Sequence, residues 1–308
     1  MLSSACAHVT PAPKPSGSKI VEQAAPGGPA KPVSTALVQA GTTLRWGNVE
    51  CARIAGNTTP FAQVESSCNL DPRECAKLAP YYSCGIGVPV DRQRAITVAD
   101  RACGAGSRVG CAIVGHALLS GTVVPRDVER GSRLVVSACD DGEDAACVDA
   151  GLVVLPRDGR QAMHDFQRAC DADVVEGCID FAVKLSVGLP DVPPDVSRAE
   201  QVLDSLCSEG EATACANLAS IYYDGRSGVT RDAARAAMLA RRGCDGGEIE
   251  ACNMLAVLLW NGDGVAVDAP QAVILWQRCC NAGSERLRRA RFGVRARRRR
   301  GRGSWASA

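Results

Sequence analysis

The sequence predicts an all-α protein built from helix–loop–helix repeats that are joined by disulfides. Two observations carry this prediction: pairs of cysteines recur at one spacing, and other residue types keep the same period along the chain. The 308 residues are enough for one elongated domain or two compact ones. Aromatic residues make up only 4% of the chain, which favours closely packed helices with small residues at their contacts.

Two cysteines eight positions apart enclose a variable segment in CDGGEIEAC at 244–252. The same frame occurs four more times, and a seven-spaced version, CNLDPREC at 68–75, precedes them. The first cysteines follow one another at steps of 35, 36, 31, 37 and 37 residues, which indicates a repeat protein. The frames predict six disulfides: Cys68–Cys75, Cys103–Cys111, Cys139–Cys147, Cys170–Cys178, Cys207–Cys215 and Cys244–Cys252.

A straight helix cannot carry such a bond. Eight helical residues span about 12 Å, whereas the Cα atoms of a disulfide lie roughly 4.4–6.8 Å apart. The chain must therefore reverse inside each frame, which predicts a corner between two helices with the disulfide as a staple across it. Zinc is disfavoured, because its ligands are usually two to four residues apart and the chain has only three histidines, His8, His116 and His164.

Two further columns keep the phase of the cysteines. An aspartate lies twelve residues before each next first cysteine, and a loop with a G-x-G-V pattern precedes several of these aspartates. We expect each aspartate to cap a second helix, as in 232–244, and we expect a first helix over 212–224 that ends at Gly225. The aspartates are Asp91, Asp127, Asp158, Asp195, Asp232 and Asp268.

A small residue lies four positions after each second cysteine, on the same helix face, where it allows a neighbouring helix to approach closely. The Asp-Gly loops do not match a calcium loop, because alternating oxygen ligands and a closing glutamate are missing. No cofactor or metal site is predicted. The small residues are Ala79, Gly115, Gly151, Ala182, Ala219 and Ala256.

A unit of about 36 residues with the loops GIGVPVD (85–91), GRSGVTRD (225–232) and GDGVAVD (262–268) resembles the Sel-one-like repeat (SLR) family, relatives of tetratricopeptide repeats. The staples make the chain similar to the cysteine-rich, secreted bacterial branch. The resemblance covers roughly 68–283 and departs at 147–158, where the loop is about five residues short, and at GLPDVPPD (188–195). It implies a right-handed α-solenoid whose concave surface binds an unknown protein or peptide.

The resemblance also implies an alternative, because some cysteine-rich members are described as binding or hydrolysing β-lactams. A serine β-lactamase needs Ser-x-x-Lys with two companion motifs, and the one Ser-x-x-Lys here, at 16–19, lies in a Pro/Gly/Ser-rich stretch without those companions. His116 and His164 fall within helical repeats, where surface or packing roles are expected. We predict no catalytic residue and favour an interaction scaffold over an enzyme.

The N-terminal residues 1–34 read as a lipoprotein-like start and a disordered linker, followed by a capping segment at 35–67. Small residues precede Cys6 as in a lipoprotein cleavage site, so a lipid anchor at Cys6 is favoured, with an incidental cysteine as the alternative. An anchor of this kind would be the only membrane contact. The cysteine content independently predicts an extracytoplasmic location, periplasmic, secreted or on the outer membrane.

The C-terminal residues 284–308 hold ten arginines and one glutamate, a local charge of +9 that leaves about −8 for the rest of the chain. This tail either binds anionic surfaces or is not selected sequence; we favour the second interpretation, and nucleic acid is not an expected partner. We expect the tail after about 285 to be disordered and removed by limited proteolysis. Cys279 and Cys280 are then expected to be reactive or prone to intermolecular bonding, and Cys51 is proposed to pair with Cys84.

Overall fold

The computed structural model describes residues 59–225 and 228–281, which are α-helical with one 3₁₀ helix; in these ranges the only strand-like pairing is a single bridge between Leu189 and Val192. The elements in chain order are α1 (Phe61–Leu70), the 3₁₀ helix (Pro72–Leu78), α2 (Ala79–Cys84), α3 (Arg92–Gly104), α4 (Arg108–Ser120), α5 (Val128–Asp140), α6 (Ala146–Val154), α7 (Gly159–Asp171), α8 (Val175–Val187), α9 (Val196–Ser208), α10 (Ala212–Asp224), α11 (Ala233–Asp245), α12 (Ile249–Asn261) and α13 (Ala269–Asn281).

The helices form hairpins that follow one another along the chain. A first helix packs against the second helix of its own repeat, as α4 packs on α5, and the second helix packs against the next first helix, as α5 packs on α6. The described residues group into two compact units, 59–205 and 206–281, with the boundary inside α9. The predicted fold class, an α-solenoid of disulfide-stapled helix–loop–helix repeats, is confirmed.

The aspartate column begins the second helices. In each of the six repeats the aspartate carboxylate accepts a hydrogen bond from the backbone N–H three residues later, at 2.8–3.0 Å. The bond satisfies one of the N–H groups that a helix start leaves without a partner inside the helix, and the negative charge complements the helix dipole.

The small-residue column lies where first and second helices meet. A Cβ atom on Gly115 would lie 2.6 Å from Cγ1 of Val135 on α5, and one on Gly151 would lie 2.6 Å from the ring of Phe166 on α7. The alanines of this column, such as Ala182, are completely buried. Close contact between the two helices therefore depends on these residues being small.

The two irregular repeats depart from the regular repeat pattern in different ways. Between α6 and Asp158 the loop 155–157 is three residues shorter than its counterpart 121–126, and α6 itself ends two residues earlier relative to its second cysteine. The shortening is thus shared by loop and helix, whereas the sequence pattern assigned it to the loop alone. After α8, Leu189 and Val192 exchange two backbone hydrogen bonds at 2.8 and 3.0 Å, a tight turn in place of the G-x-G-V loop.

The expectations for residues 1–34, for most of 35–67 and for the arginine-rich residues 284–308 lie outside the described residues.

Candidate interaction surface

The structure places the twelve cysteines of the frames in six bonded pairs, the same pairs that the spacing gives. Each bond connects the end of a second helix, or of α1 in the first case, to the first helix that follows, with Cα atoms 4.3–4.8 Å apart. The chain reverses between the two sulfurs, as a corner requires. Each staple holds together the two helices that meet at its corner.

In each frame whose cysteines are eight positions apart, the chain reverses at one residue with positive φ, the third after the first cysteine. It is a glycine in four frames, with φ between 88° and 101°. In the remaining frame, 170–178, it is Asp173, with φ of 59°, and this is the only non-glycine residue with positive φ in the described ranges. Left-handed backbone is unfavourable for residues with a Cβ, although aspartate tolerates it better than most. The four glycines are Gly106, Gly142, Gly210 and Gly247.

An arginine two positions before a first cysteine reaches back to the staple of the preceding repeat. The Nη1 atoms of Arg101, Arg168 and Arg278 lie 3.9 Å from the sulfurs of Cys68, Cys139 and Cys244. Arg242 donates from Nη2 to the carbonyl of Cys207 at 2.9 Å. A cation at the C-terminal end of a helix interacts favourably with its dipole, so these contacts tie neighbouring second helices together.

In the first unit, the first helices α6 and α8 contact each other, and a polar side-chain pair bridges the first helices α4 and α6. Nδ1 of His116 on α4 lies 2.8 Å from Oδ2 of Asp149 on α6, and both side chains are partly exposed. At the α5–α6 corner the Glu143 carboxylate is 6% exposed, 3.9 Å from Nε of Arg108. Burial raises the pKa of Glu143 to about 7, against the opposing effect of Arg108.

In the second unit, α10 and α12 are the adjacent first helices. The Thr213 hydroxyl donates to the Glu248 carboxylate at 2.8 Å, and hydrogen bonding with the Glu250 side chain and with Thr213 lowers the pKa of Glu248. On α13, Nε1 of Trp276 donates to Oδ1 of Asn253 at 3.1 Å. The ring of Trp276 lies 5.5 Å from that of Trp260. Trp276 and Trp260 are aromatic residues of the kind enriched at protein-binding surfaces.

The remaining cysteines and histidines are distributed as follows. Cys279 is a buried thiol that donates to the carbonyl of Ile249 at 3.6 Å, and burial raises its pKa to about 11. The expectation that Cys279 is reactive is therefore wrong, because the thiolate is the reactive form. Cys84 is disulfide-bonded, whereas its proposed partner Cys51 and the lipidation candidate Cys6 lie outside the described residues.

His164 is an exposed residue on α7, 3.4 Å from Asp165. Within the described ranges, no group of three or more His, Cys, Asp or Glu side chains is arranged to hold a metal ion. In the same ranges, no helix has the length and apolarity of a membrane-crossing segment. The described surface can bind a partner through hydrogen bonds, charged groups and aromatic rings.

Four segments of the chain match the Sel1 repeat family: 75–106, 145–174, 212–248 and 249–284. Each match spans the helices of one repeat, whereas the hairpins α4–α5 and α8–α9 lie between the matched segments. The chain contains four Sel1 repeats. The family consists of repeat scaffolds that generally bind other proteins. No curated protein sequence matches the chain significantly.

Solved structures share the Sel1 repeat fold. A protective antigen with an SLR fold from uropathogenic Escherichia coli strains is 20% identical and matches with a TM-score of 0.61 over 74% of this chain. The chain spans 50% of that protein's length. A Sel1 repeat protein from Oxalobacter formigenes is 21% identical, with a TM-score of 0.56 over 80% of this chain and 68% of the other. At these identities the likeness establishes the fold of the chain.

Proposed function

We propose that this protein is an extracytoplasmic scaffold that binds a protein or peptide along the concave face formed by its first helices. The observation that carries the proposal is the bridging of consecutive first helices by polar pairs, such as the partly exposed His116–Asp149 between α4 and α6. Rigid repeats present such side chains in a fixed array, which lowers the entropic cost of binding an extended partner.

The proposed location rests on the disulfides. Six staples in the described residues are typical of proteins that fold in oxidising compartments. Secretion and a lipid anchor at Cys6 are finer forms of the same proposal. Incorporation of labelled fatty acid, compared between the natural protein and a Cys6→Ser variant, distinguishes the anchored form from the secreted one.

The binding proposal is tested by affinity capture from a bacterial envelope extract under oxidising conditions. The double variant His116→Ala/Asp149→Ala removes the polar bridge between α4 and α6. The matched control is His164→Ala, which alters a histidine on α7, outside the first helices. A partner bound through the proposed face is retained by the wild type and the control and lost with the double variant. Equal capture by all three proteins would contradict the proposal.

The alternative implied by the family resemblance is a β-lactam-binding protein or weak hydrolase. Nitrocefin turnover by the purified, oxidised protein would favour that alternative, provided that a preparation from cells with an empty vector shows none. The scaffold proposal expects no turnover above that control.

A further inference from the structure

The six disulfides differ in solvent exposure, and the less exposed ones are those that an arginine of the next repeat contacts. Where an arginine two positions before the next first cysteine reaches back, the cysteine that it contacts is 1–3% exposed. These covered cysteines are Cys68, Cys139, Cys207 and Cys244.

Serine takes the place of the arginine in the two remaining repeats. Ser137 on α5 occupies the position that would cover Cys103, and Ser205 on α9 occupies the position that would cover Cys170. A serine side chain is too short to extend across to the preceding repeat. Cys103 and Cys170 are both half-buried, unlike the four covered cysteines.

The partner cysteines strengthen this division. Cys111 is half-buried, and Cys178 is 8% exposed. By contrast, the partners of the arginine-covered cysteines are at most 2% exposed.

We propose that Cys103–Cys111 and Cys170–Cys178 are thiol–disulfide exchange sites for an external dithiol reductant, and that the interrepeat arginines shield the other four staples. A thiolate of the reductant attacks one sulfur of the exposed pair, forms a mixed disulfide and releases the other cysteine as a thiolate. The second thiol of the reductant then resolves the mixed disulfide, so that two electrons and two protons pass from the dithiol to the cysteine pair.

The arginines exert two opposing effects on exchange. A guanidinium beside a sulfur stabilises the thiolate and improves it as a leaving group, which favours reduction. Attack also requires that the incoming thiolate reach a sulfur, and cysteines exposed by 3% or less scarcely permit this in the folded protein. Access therefore decides the order: Cys103–Cys111 first, Cys170–Cys178 second and the four covered staples last.

The test is timed reduction of the folded protein with dithiothreitol, followed by alkylation and peptide mapping, with circular dichroism to establish that the helices persist. We expect the two exposed pairs to be alkylated at least about tenfold faster than the covered four. Equal rates for all six pairs, or faster reduction of a covered pair, would overturn the proposal.

The variant Ser137→Arg separates shielding from other causes. It is expected to slow reduction of Cys103–Cys111 by about tenfold. Ser137→Ala is the matched control and should leave the rate unchanged, and Cys170–Cys178 serves as an internal reference in every sample. Reduction of Cys103–Cys111 at the wild-type rate in Ser137→Arg would refute the shielding.

The reverse variant, Arg168→Ser, is expected to expose Cys139–Cys147 to reduction. Arg168 also pairs with Asp144 at 2.9 Å, so this variant can lower stability. Cys68–Cys75 distinguishes the two effects, because it stays slow if only the local shield is lost. Selective acceleration of Cys139–Cys147 supports the proposal, and acceleration of all pairs together, or of none, contradicts it.

Discussion

Asp173 shows how the residue type at one position determines the backbone strain of a corner. It occupies the position that glycine takes in the other four eight-residue frames, and it holds a φ of 59°. The sequence contains this signal, since a glycine recurs three residues after the first cysteine at 103, 139, 207 and 244. The signal is easily missed, because the interruption at 173 breaks the column in its middle.

Replacing Asp173 with glycine is expected to raise the free energy of unfolding by about 0.5–1 kcal/mol, since it removes backbone strain at positive φ. Asp173→Ala is expected to lower it by a similar amount, because alanine tolerates this conformation less well than aspartate. Urea unfolding monitored by circular dichroism measures both. A destabilised glycine variant would show that the Asp173 side chain contributes more than its backbone strain costs.

Glu143 is a buried carboxyl group whose pKa, raised to about 7 by burial, lies above the ordinary value of 4.5. The folded state therefore holds the proton more tightly than the unfolded state. Its contribution to stability is fully present below pH 4.5 and is lost as the pH rises to about 7. Arg108 opposes the shift in pKa and Asp144 adds to it.

The variant Glu143→Gln has no titrating carboxyl group at this position, so its stability is not expected to fall as the pH rises from 4.5 to about 7. At pH 8 it should be more stable than the wild type by about 1–3 kcal/mol, with a smaller difference at pH 4.5. Denaturant unfolding at several pH values measures the effect. Glu129→Gln, which alters a carboxylate 84% exposed, serves as the control and should follow the wild-type profile. Identical pH profiles for Glu143→Gln and the wild type would contradict the assignment.

At the scale of helices, the start of each second helix was predictable and the contacts between repeats were not. The aspartate column predicts its own role, because a cap needs only a carboxylate and a backbone N–H three residues away. The arginine contacts span 29–35 residues, and the column is interrupted by Ser137 and Ser205. Spacing alone could not show that these side chains reach the preceding staple.

The N-cap of α11 allows the contribution of an aspartate cap to stability to be measured directly. Asp232→Ala removes the hydrogen bond to the backbone N–H of Arg235, at 2.9 Å, and is expected to lower the free energy of unfolding by about 1 kcal/mol. Asp245→Ala, at the opposite end of the same helix, is the matched control. Asp245 is exposed beside the negative end of the helix dipole, so its loss should be neutral or slightly stabilising. A similar loss in both variants would exclude a capping role for Asp232.

At the scale of the whole molecule, the period specified the repeat fold because each repeat contacts mainly its neighbours. The same reasoning failed for Cys279. Its neighbour Cys280 continues the column of first cysteines but lacks a second cysteine to pair with, so the sequence suggested reactive thiols at the end of the repeats. In the structure Cys279 occupies the position of Ala102, Ala138 and Ala169, a buried column just before each first cysteine. Cys279 therefore packs as a small buried side chain, and its burial prevents the reactivity that its thiol group would otherwise have.

The disulfide set is testable as a whole. Peptide mapping without reduction is expected to recover the six pairs of neighbouring cysteines within the frames, beside the separate disulfide of Cys84, and complete reduction is expected to cost up to about 2.5 kcal/mol for each staple. The melting temperature of the reduced protein should fall accordingly. Pairs that link distant repeats, or an unchanged melting temperature, would contradict the staple mechanism.

The short span of each staple also governs how the protein responds to force. Each described disulfide closes a loop of only seven or eight residues, and none of the six connects distant repeats. A chain pulled from its two ends therefore loses only about 20 Å of extended length at each intact bond. Under tension the stapled repeats are expected to lengthen almost as far oxidised as reduced, so these six disulfides stabilise the fold against heat far more than they limit its stretching.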